Sequence, residues 1–221
     1  QGAAGGAGAA VDIAAANLRV SGSADAAAPD EAWVATGWIN DLGAESLLLG
    51  GARSRSQTGT DLTVLTDTLT LANDAQSALT APEVMLAARD TLTLAAGSAI
   101  NAQGAGGNAG SINTGGNGAF VRAASSSASF TRTGSPDRSQ GTLIGAADSV
   151  LQAAKAIAID ATQDNAFAGQ LAFVKEGVAV AGELSAGSSR INFGSPAQPV
   201  DGLTFSQSEL DGLQSLDSLA L

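Results

Sequence analysis

One hexapeptide occurs twice in this chain. Asp67-Thr68-Leu69-Thr70-Leu71-Ala72 returns unchanged as Asp90-Thr91-Leu92-Thr93-Leu94-Ala95, at a sequence offset of 23. Within each copy apolar and polar residues alternate, which is the two-residue period of a strand with one buried face. Short strands repeated at such an interval are the mark of an array, in which each unit buries its apolar side against the next.

Other alternating segments share the pattern. Leu62/Val64 to Val84/Leu86 is an offset of 22, Ile157/Ile159 to Val178/Val180 is 21, and Leu171/Phe173 to Ile191/Phe193 is 20. Val11-Asp12-Ile13, Leu18-Arg19-Val20, Leu203-Thr204-Phe205 and Leu219-Ala220-Leu221 alternate in the same way, each bounded by Gly, Asn, Asp or Ser nearby. A period of 20–23 suits one turn of a coil built from two or three short strands and tight corners. Each strand then pairs in parallel with its copy one turn on, about 4.8 Å away. The expected fold is all-β: a right-handed parallel β-helix of about nine or ten rungs, a single segment over residues 1–221. Asp148 to Asp164 contains the helix-favouring Ala153-Ala154-Lys155-Ala156, but it leads into the alternating Ile157/Ile159 pair and reads as strand.

Composition agrees. Hydrophobic residues make up 44% of the 221, yet aromatics only 4%, so the core is built from Ala, Leu, Val and Ile. Small branched side chains suit thin, evenly spaced layers. Loop excursions are expected near 21–32, 102–118 and 133–141, where Gly, Pro, Ser and Asp gather, and Gln1–Ala9 reads as a flexible leader.

The chain has no His and no Cys. That removes nitrogen and sulfur zinc sites, disulfides, histidine bases and the Ser-His-Asp and Cys-His arrangements. A net charge of −11 repels phosphate backbones and anionic lipid, so no nucleic-acid or membrane-surface partner is expected. Its acids stand singly and read as a solvated face. No apolar run reaches the length of a membrane-spanning helix, and no segment reads as a signal peptide. Both ends read as cuts from a longer polypeptide.

Candidate chemistry is sparse. Gly104-Ala105-Gly106-Gly107-Asn108-Ala109-Gly110 overlaps a loose glycine fingerprint but lacks the strand–helix setting and acidic partner of a dinucleotide site. Asn108 and Asn113 do not replace the carboxylates of a calcium-binding repeat. Asp160 and Asp164, separated by three residues, could pair as in a glycoside hydrolase, but turn residues are the plainer reading. Stacked threonines on a flat coil can bind ice; here the Thr-x-Thr column covers two rungs, and an ordinary β-branched solvent face is the reading. Trp33 and Trp38, the only tryptophans, read first as packing residues and second as a contact patch. The expectation is no catalytic residue, no metal ligand and no cofactor, with Trp33, Trp38, Asn108 and Asn113 as candidate partner contacts.

Ser46-Leu47-Leu48-Leu49-Gly50-Gly51-Ala52-Arg53-Ser54, Thr68-Leu69-Thr70-Leu71-Ala72-Asn73-Asp74 and Leu79-Thr80-Ala81-Pro82-Glu83 resemble the filamentous haemagglutinin-type exoproteins. So do Ala87-Ala88-Arg89-Asp90-Thr91-Leu92-Thr93-Leu94, the run from Asp148 to Thr162, and Arg190-Ile191-Asn192-Phe193-Gly194 with Gly202-Leu203-Thr204-Phe205-Ser206. The likeness covers roughly residues 44–221 and is to an internal region of those proteins. It implies a β-helix, secretion through an outer-membrane transporter of the two-partner type, and a non-catalytic shaft segment in an adhesin at the bacterial surface. The Asn-Pro-Asn motifs of the family's secretion domain are missing, so contact with the transporter would run through a domain outside this chain. Two other functions stay open. One is a module that binds a host glycan or protein through its glycine-rich loops and tryptophans. The other is a degenerate β-helix polysaccharide hydrolase or lyase.

Overall fold

In the computed structural model, the structure describes residues 9–24, 27–57, 59–106, 110–195, 198 and 200–221. The chain begins with β1 (Ala10–Ile13), β2 (Asn17–Ser21), β3 (Ala32–Ala35) and helix α1 (Thr36–Asp41). Then come β4 (Ser46–Leu49), β5 (Gly51–Arg55), β6 (Gly59–Val64), β7 (Thr68–Ala72), β8 (Leu79–Thr80), β9 (Glu83–Ala88), β10 (Thr91–Leu94) and β11 (Ala99–Ala102). The middle holds β12 (Gly110–Gly115), β13 (Ala119–Ala124), β14 (Ala128–Thr133), β15 (Thr142–Gly145), β16 (Val150–Ala153) and β17 (Ala156–Ala161). The last part holds β18 (Asp164–Phe167), β19 (Gln170–Lys175), β20 (Val178–Ala179), β21 (Glu183–Gly187), β22 (Ile191–Phe193), β23 (Leu203–Phe205), helix α2 (Gln207–Leu213) and β24 (Ser218–Ala220). The protein is all-β in character, with parallel sheets.

Three sheets take strands in rotation. Sheet A runs β1-β4-β9-β13-β17-β21-β24, sheet B β18-β15-β10-β7-β2-β3, and sheet D β20-β19-β16-β11-β8. From β9 the chain passes to β10 in sheet B and β11 in sheet D; from β17 it passes to β18 and β19 in the same order. The duplicated hexapeptide holds its expected register: Leu69 opposes Leu92 and Leu71 opposes Leu94. The leucine column continues to Leu18 on one side and Leu143 on the other. All these leucines are buried in one core enclosed by sheets A, B and D. Stacking like on like satisfies the backbone through the ladder and the side chains through the column, each buried Leu contributing about 1.5–3 kcal/mol.

The other three offset pairs do not stack. Leu62 and Val64 sit in β6, outside the sheet that holds Val84 and Leu86. Ile157 opposes Leu184, an offset of 27, while Val178 lies in a two-residue strand with 65% of its surface exposed. Leu171 opposes Leu151, and Ile191 opposes Leu203. The expected period recurs elsewhere, as an offset of 21 from Leu79 to Ile100 and of 22 from Leu143 to Asn165. Alternation marks a strand but does not say which neighbour it pairs with, because every apolar pair in such a chain looks alike.

The insertions are strands as well as loops. Residues 102–118, read as a surface excursion, carry β12. It joins β5, β6 and β14 in sheet C, ordered β14-β12-β6-β5, which lies outside sheet A. Between sheets A and C is a second core of Leu48, Leu62, Met85, Ile112 and Phe120, with Phe120 and Phe130 stacked at 4.5 Å. Because the chain leaves for sheet C and returns from its far end, β13 enters sheet A reversed. It pairs antiparallel with both β9 and β17, which departs from the expected all-parallel ladder. Alternation survives the reversal: Val121 opposes Leu86 and Ile159, and all three face the inner core. Residues spent in sheet C and at the ends leave, among the described residues, no face with more than seven strands, against the nine or ten rungs expected.

Helix α1 closes sheet D at the β8 side. Thr36 and Ile39 are buried, and the Asn40 side chain imitates a strand: its amide donates to the Ala78 carbonyl at 2.9 Å and its oxygen accepts from the Thr80 N–H at 2.9 Å. Helix α2 starts with a capping box, Ser206 Oγ accepting from the Glu209 N–H and the Glu209 carboxylate accepting from the Ser206 N–H. Its Leu210 and Leu213 pack against the main core.

Candidate functional site

The candidate contact residues do not converge. Trp33 lies on β3, the edge of sheet B, opposite Arg19. Its indole N–H donates to Ser21 Oγ at 2.9 Å. Trp38 lies on α1, where Ile39 rather than the tryptophan enters the core. Trp33 is 38% and Trp38 56% exposed, so packing, the first reading of these residues, does not describe Trp38. The short helix turns Ile39 inward and leaves its neighbour outside. Two partly exposed indoles close in sequence offer flat apolar faces with a polar edge, suited to a sugar ring or a protein surface.

Asn113 sits on sheet C, in a row of Ser54, Asp61, Asn113 and Thr131. Its side-chain amide donates to Asp61 at 2.8 Å. It therefore shares no sheet with the tryptophans. Asn108 and part of the surrounding glycine run lie outside the described residues.

Asp160 and Asp164 are strand residues, on β17 and β18, rather than the turn residues expected. They flank a corner and serve separate sheets. Asp160 accepts from Arg132 Nε at 2.9 Å, which ties sheet A to sheet C. Asp164 accepts from the Gly202 N–H at 2.7 Å. Each carboxylate accepts from a structural donor, and the two lie on different sheets. Among the described residues no group of three His, Cys, Asp or Glu could hold a metal ion.

Several of the acids read as a solvated face also fasten the fold, while others such as Asp41, Asp148 and Asp211 are exposed. Asp67 pairs with Arg89, and Asp12 with Arg53. Lys155 pairs with Glu183 and Asp217 across the end of sheet A. Asp217 first, then Glu183, holds the Lys155 ammonium above its usual range. Asp137 in the 133–141 loop is held down to about 2, chiefly by the Ser139 hydroxyl and then by the Asn117 amide. Asp74 is lowered by Ser77. All three shifts drive the group further into its charged form at neutral pH, which suits fastening rather than proton exchange.

A buried ion pair that joins neighbouring strands β9 and β13 on the side of sheet A that faces sheet C went unread in the sequence. Glu83 and Arg122 are almost wholly buried, Nε to Oε1 at 2.7 Å. Ser46 Oγ donates to Glu83 at 2.5 Å and Arg53 donates to Ser46 at 2.6 Å, while Arg122 reaches the Ser126 carbonyl at 3.1 Å. The network satisfies charges that would otherwise be costly to bury. Its sequence signal is a lone charge inside an apolar strand: Glu83 before Val84-Met85-Leu86, and Arg122 within Phe120-Val121-Arg122-Ala123.

Several concavities are sizeable, among them one of about 600 Å³ that Asp164, Arg190 and Asp201 line. A cleft of about 980 Å³ lies under α2, with Phe167, Phe173, Phe205 and Leu213 in its wall. A groove of about 550 Å³ runs beside β14 over the outer face of β17, β21 and β24. On the solvent face of sheet B, Thr142 extends the expected two-rung column Thr68–Thr91 to three, while Ile144 replaces threonine beside Thr93.

No family model, no curated protein and no solved structure matches this chain.

Proposed function

We propose that the chain is a non-catalytic shaft segment of a large secreted or surface-displayed bacterial adhesin, wound as a right-handed parallel β-helix with a sequence period of about 20–23 in an uninterrupted turn. The observation that carries this reading is the column Leu18–Leu69–Leu92–Leu143, buried at the same position of successive strands in sheet B. A fold whose core is one column repeated can be lengthened without redesign, which is what a spacer requires. Salt bridges between distant segments and the second layer of sheet C stiffen it. Export through an outer-membrane transporter of the two-partner type, by way of a domain outside this chain, follows from the sequence resemblance, as does a place at the cell surface.

The test is the coding sequence on either side of residues 1 and 221 together with the protein's location in cells. An upstream secretion domain, a neighbouring transporter gene and surface labelling support the reading. A cytoplasmic protein with neither overturns it.

A second reading, a module that touches a host glycan or protein, is favoured by the exposure of Trp33 and Trp38. Quenching or a blue shift of tryptophan emission on a glycan array hit, lost in Trp38→Ala, supports it. Binding that survives loss of both indoles counts against it.

A further inference from the structure

Sheet C stops before sheet A does. Its last strand, β14, lies over β13 and β17, as the Phe120–Phe130 stack and the Arg132–Asp160 pair record. Sheet A continues for two more strands, β21 and β24, and among the described residues no strand pairs the outer side of β14. The result is a six-residue edge standing above an uncovered shelf.

Which backbone groups face the open side follows from the ladder. The Thr133 carbonyl accepts from the Gly116 N–H, so Thr133, Thr131 and Ser129 turn their amide groups toward β12. In a parallel pair the alternate residues point the other way, so Ala128, Phe130 and Arg132 direct N–H and C=O to the open edge. The shelf is graded by size. Along one outward row of sheet A the side chains run Leu48, Met85, Arg122, Ala158, Ser185, Ala220. Leu48, Met85 and Arg122 are large; Ala158, under β14, is already small, and Ser185 and Ala220 beyond it stay small, which leaves the groove of about 550 Å³.

We propose that this groove accepts an extended peptide segment of a partner, added to sheet C beside β14 with bulky apolar side chains on the face turned to the shelf, one of them set over the small Ser185–Ala220 pair. Main-chain bonds to Ala128, Phe130 and Arg132 would supply affinity and the shelf would supply selection. A second copy of this chain does not fit. Two edge strands related by a two-fold axis pair antiparallel about an axis perpendicular to the sheet. That operation drives the partner's sheet A into the layer already held by β21 and β24. A single strand passes where a whole domain collides. The net charge of −11, with Glu183 and Asp217 sharing the single cation Lys155 at one end of the shelf, favours an uncharged or basic segment over an acidic one. The inference stands apart from the shaft reading, and either can fail without the other.

The test uses blocked synthetic peptides of alternating Thr and either Val, Leu or Phe, with a lysine at each end. Each is compared with a twin whose alternate backbone amides are methylated. Amide hydrogen exchange and chemical shifts of the full chain are followed on titration. The expected result is slowed exchange at Ala128, Phe130 and Arg132 with at least one peptide, and affinity at least about tenfold weaker for its methylated twin. Ser185→Phe, which fills the shelf, and Ala128→Pro, which removes an open-edge donor without touching the β12 ladder, should each weaken binding by about tenfold or more. Thr131→Ala, on the opposite face, should leave it unchanged. Should Ala128→Pro fail to fold, Ser185→Phe and the methylated twin still decide. The proposal is overturned if no peptide binds, if the methylated twins bind equally, if protection appears away from β14, or if light scattering finds a peptide-free dimer broken by Ala128→Pro.

Discussion

Leu69 and Leu92 face each other across a parallel ladder, at a sequence offset of 23 and both fully buried. Thr70 and Thr93 are paired in the same two strands and turn outward. Leu92→Ala should therefore cost about 2–5 kcal/mol, since the column above and below holds the cavity open. Thr93→Ala should cost within about 1 kcal/mol. Denaturant melts of the two variants check this, and equal losses would refute the side-chain assignment.

Gly145 opposes Phe167 in sheet B. A Cβ at Gly145 would collide with the Phe167 ring, so one position of the column is emptied to admit an aromatic from the next strand. Gly145→Ala should destabilise by about 1–3 kcal/mol through overpacking. Combined with Phe167→Leu, it should cost less than in the parent background, because the two changes share one space. Strictly additive melts would show that the ring can move aside at no cost.

Asp137 fastens the 133–141 loop by accepting from Ser139 and Asn117. Its carboxyl is depressed to about 2 from an ordinary 3.8. A depressed acid stabilises the folded loop above the ordinary value, and that contribution is lost as pH falls through the folded value. The loop should thus loosen between about pH 4 and pH 2, while Asp137→Ala should loosen it at neutral pH and remove that pH dependence. A carboxyl titration by NMR gives the midpoint directly. A midpoint near 4, or an Asp137→Ala loop no more mobile than the parent's, would remove the fastening.

The alternating pattern located strands well. Segments such as Val84-Met85-Leu86 and Ile157-Ala158-Ile159 are strands with their alternate residues Val84, Leu86, Ile157 and Ile159 turned inward. Pairing was legible only where sequence identity marked it, as in the duplicated hexapeptide. Leu62 and Val64 alternate just as those segments do, yet they leave the main core for sheet C, because the glycines around β5 and β6 let the chain fold out as a hairpin. The reversal of β13 left no trace, since Val121 and Ala123 alternate identically in either direction. For the candidate contacts, residue type showed that an indole or an amide could bind something. Which indole would be pushed outward depended on how α1 docks, and that is decided by Ile39 and Asn40 against β8.

Glu83 and Arg122 give the last prediction. They form a salt bridge with side chains 0% and 2% exposed, in a layer otherwise built from Met85, Leu48 and Phe120. Taking either charge away strands the other in an apolar layer without its partner. Arg122→Met or Glu83→Leu alone should each cost about 3–5 kcal/mol. The double variant should recover most of that loss, because two apolar side chains of similar size fill the same space and no charge is left to solvate. A double-mutant cycle by denaturant melts gives the coupling. If the single losses simply add, the network stabilises through Ser46, Arg53 and Ser126 rather than through the pair itself. Recovery would mean instead that the pair sets how sheets A and C seat on each other. Its replacement should then preserve stability while broadening the amide spectrum of β12 and β14, where specificity rather than strength would have been lost.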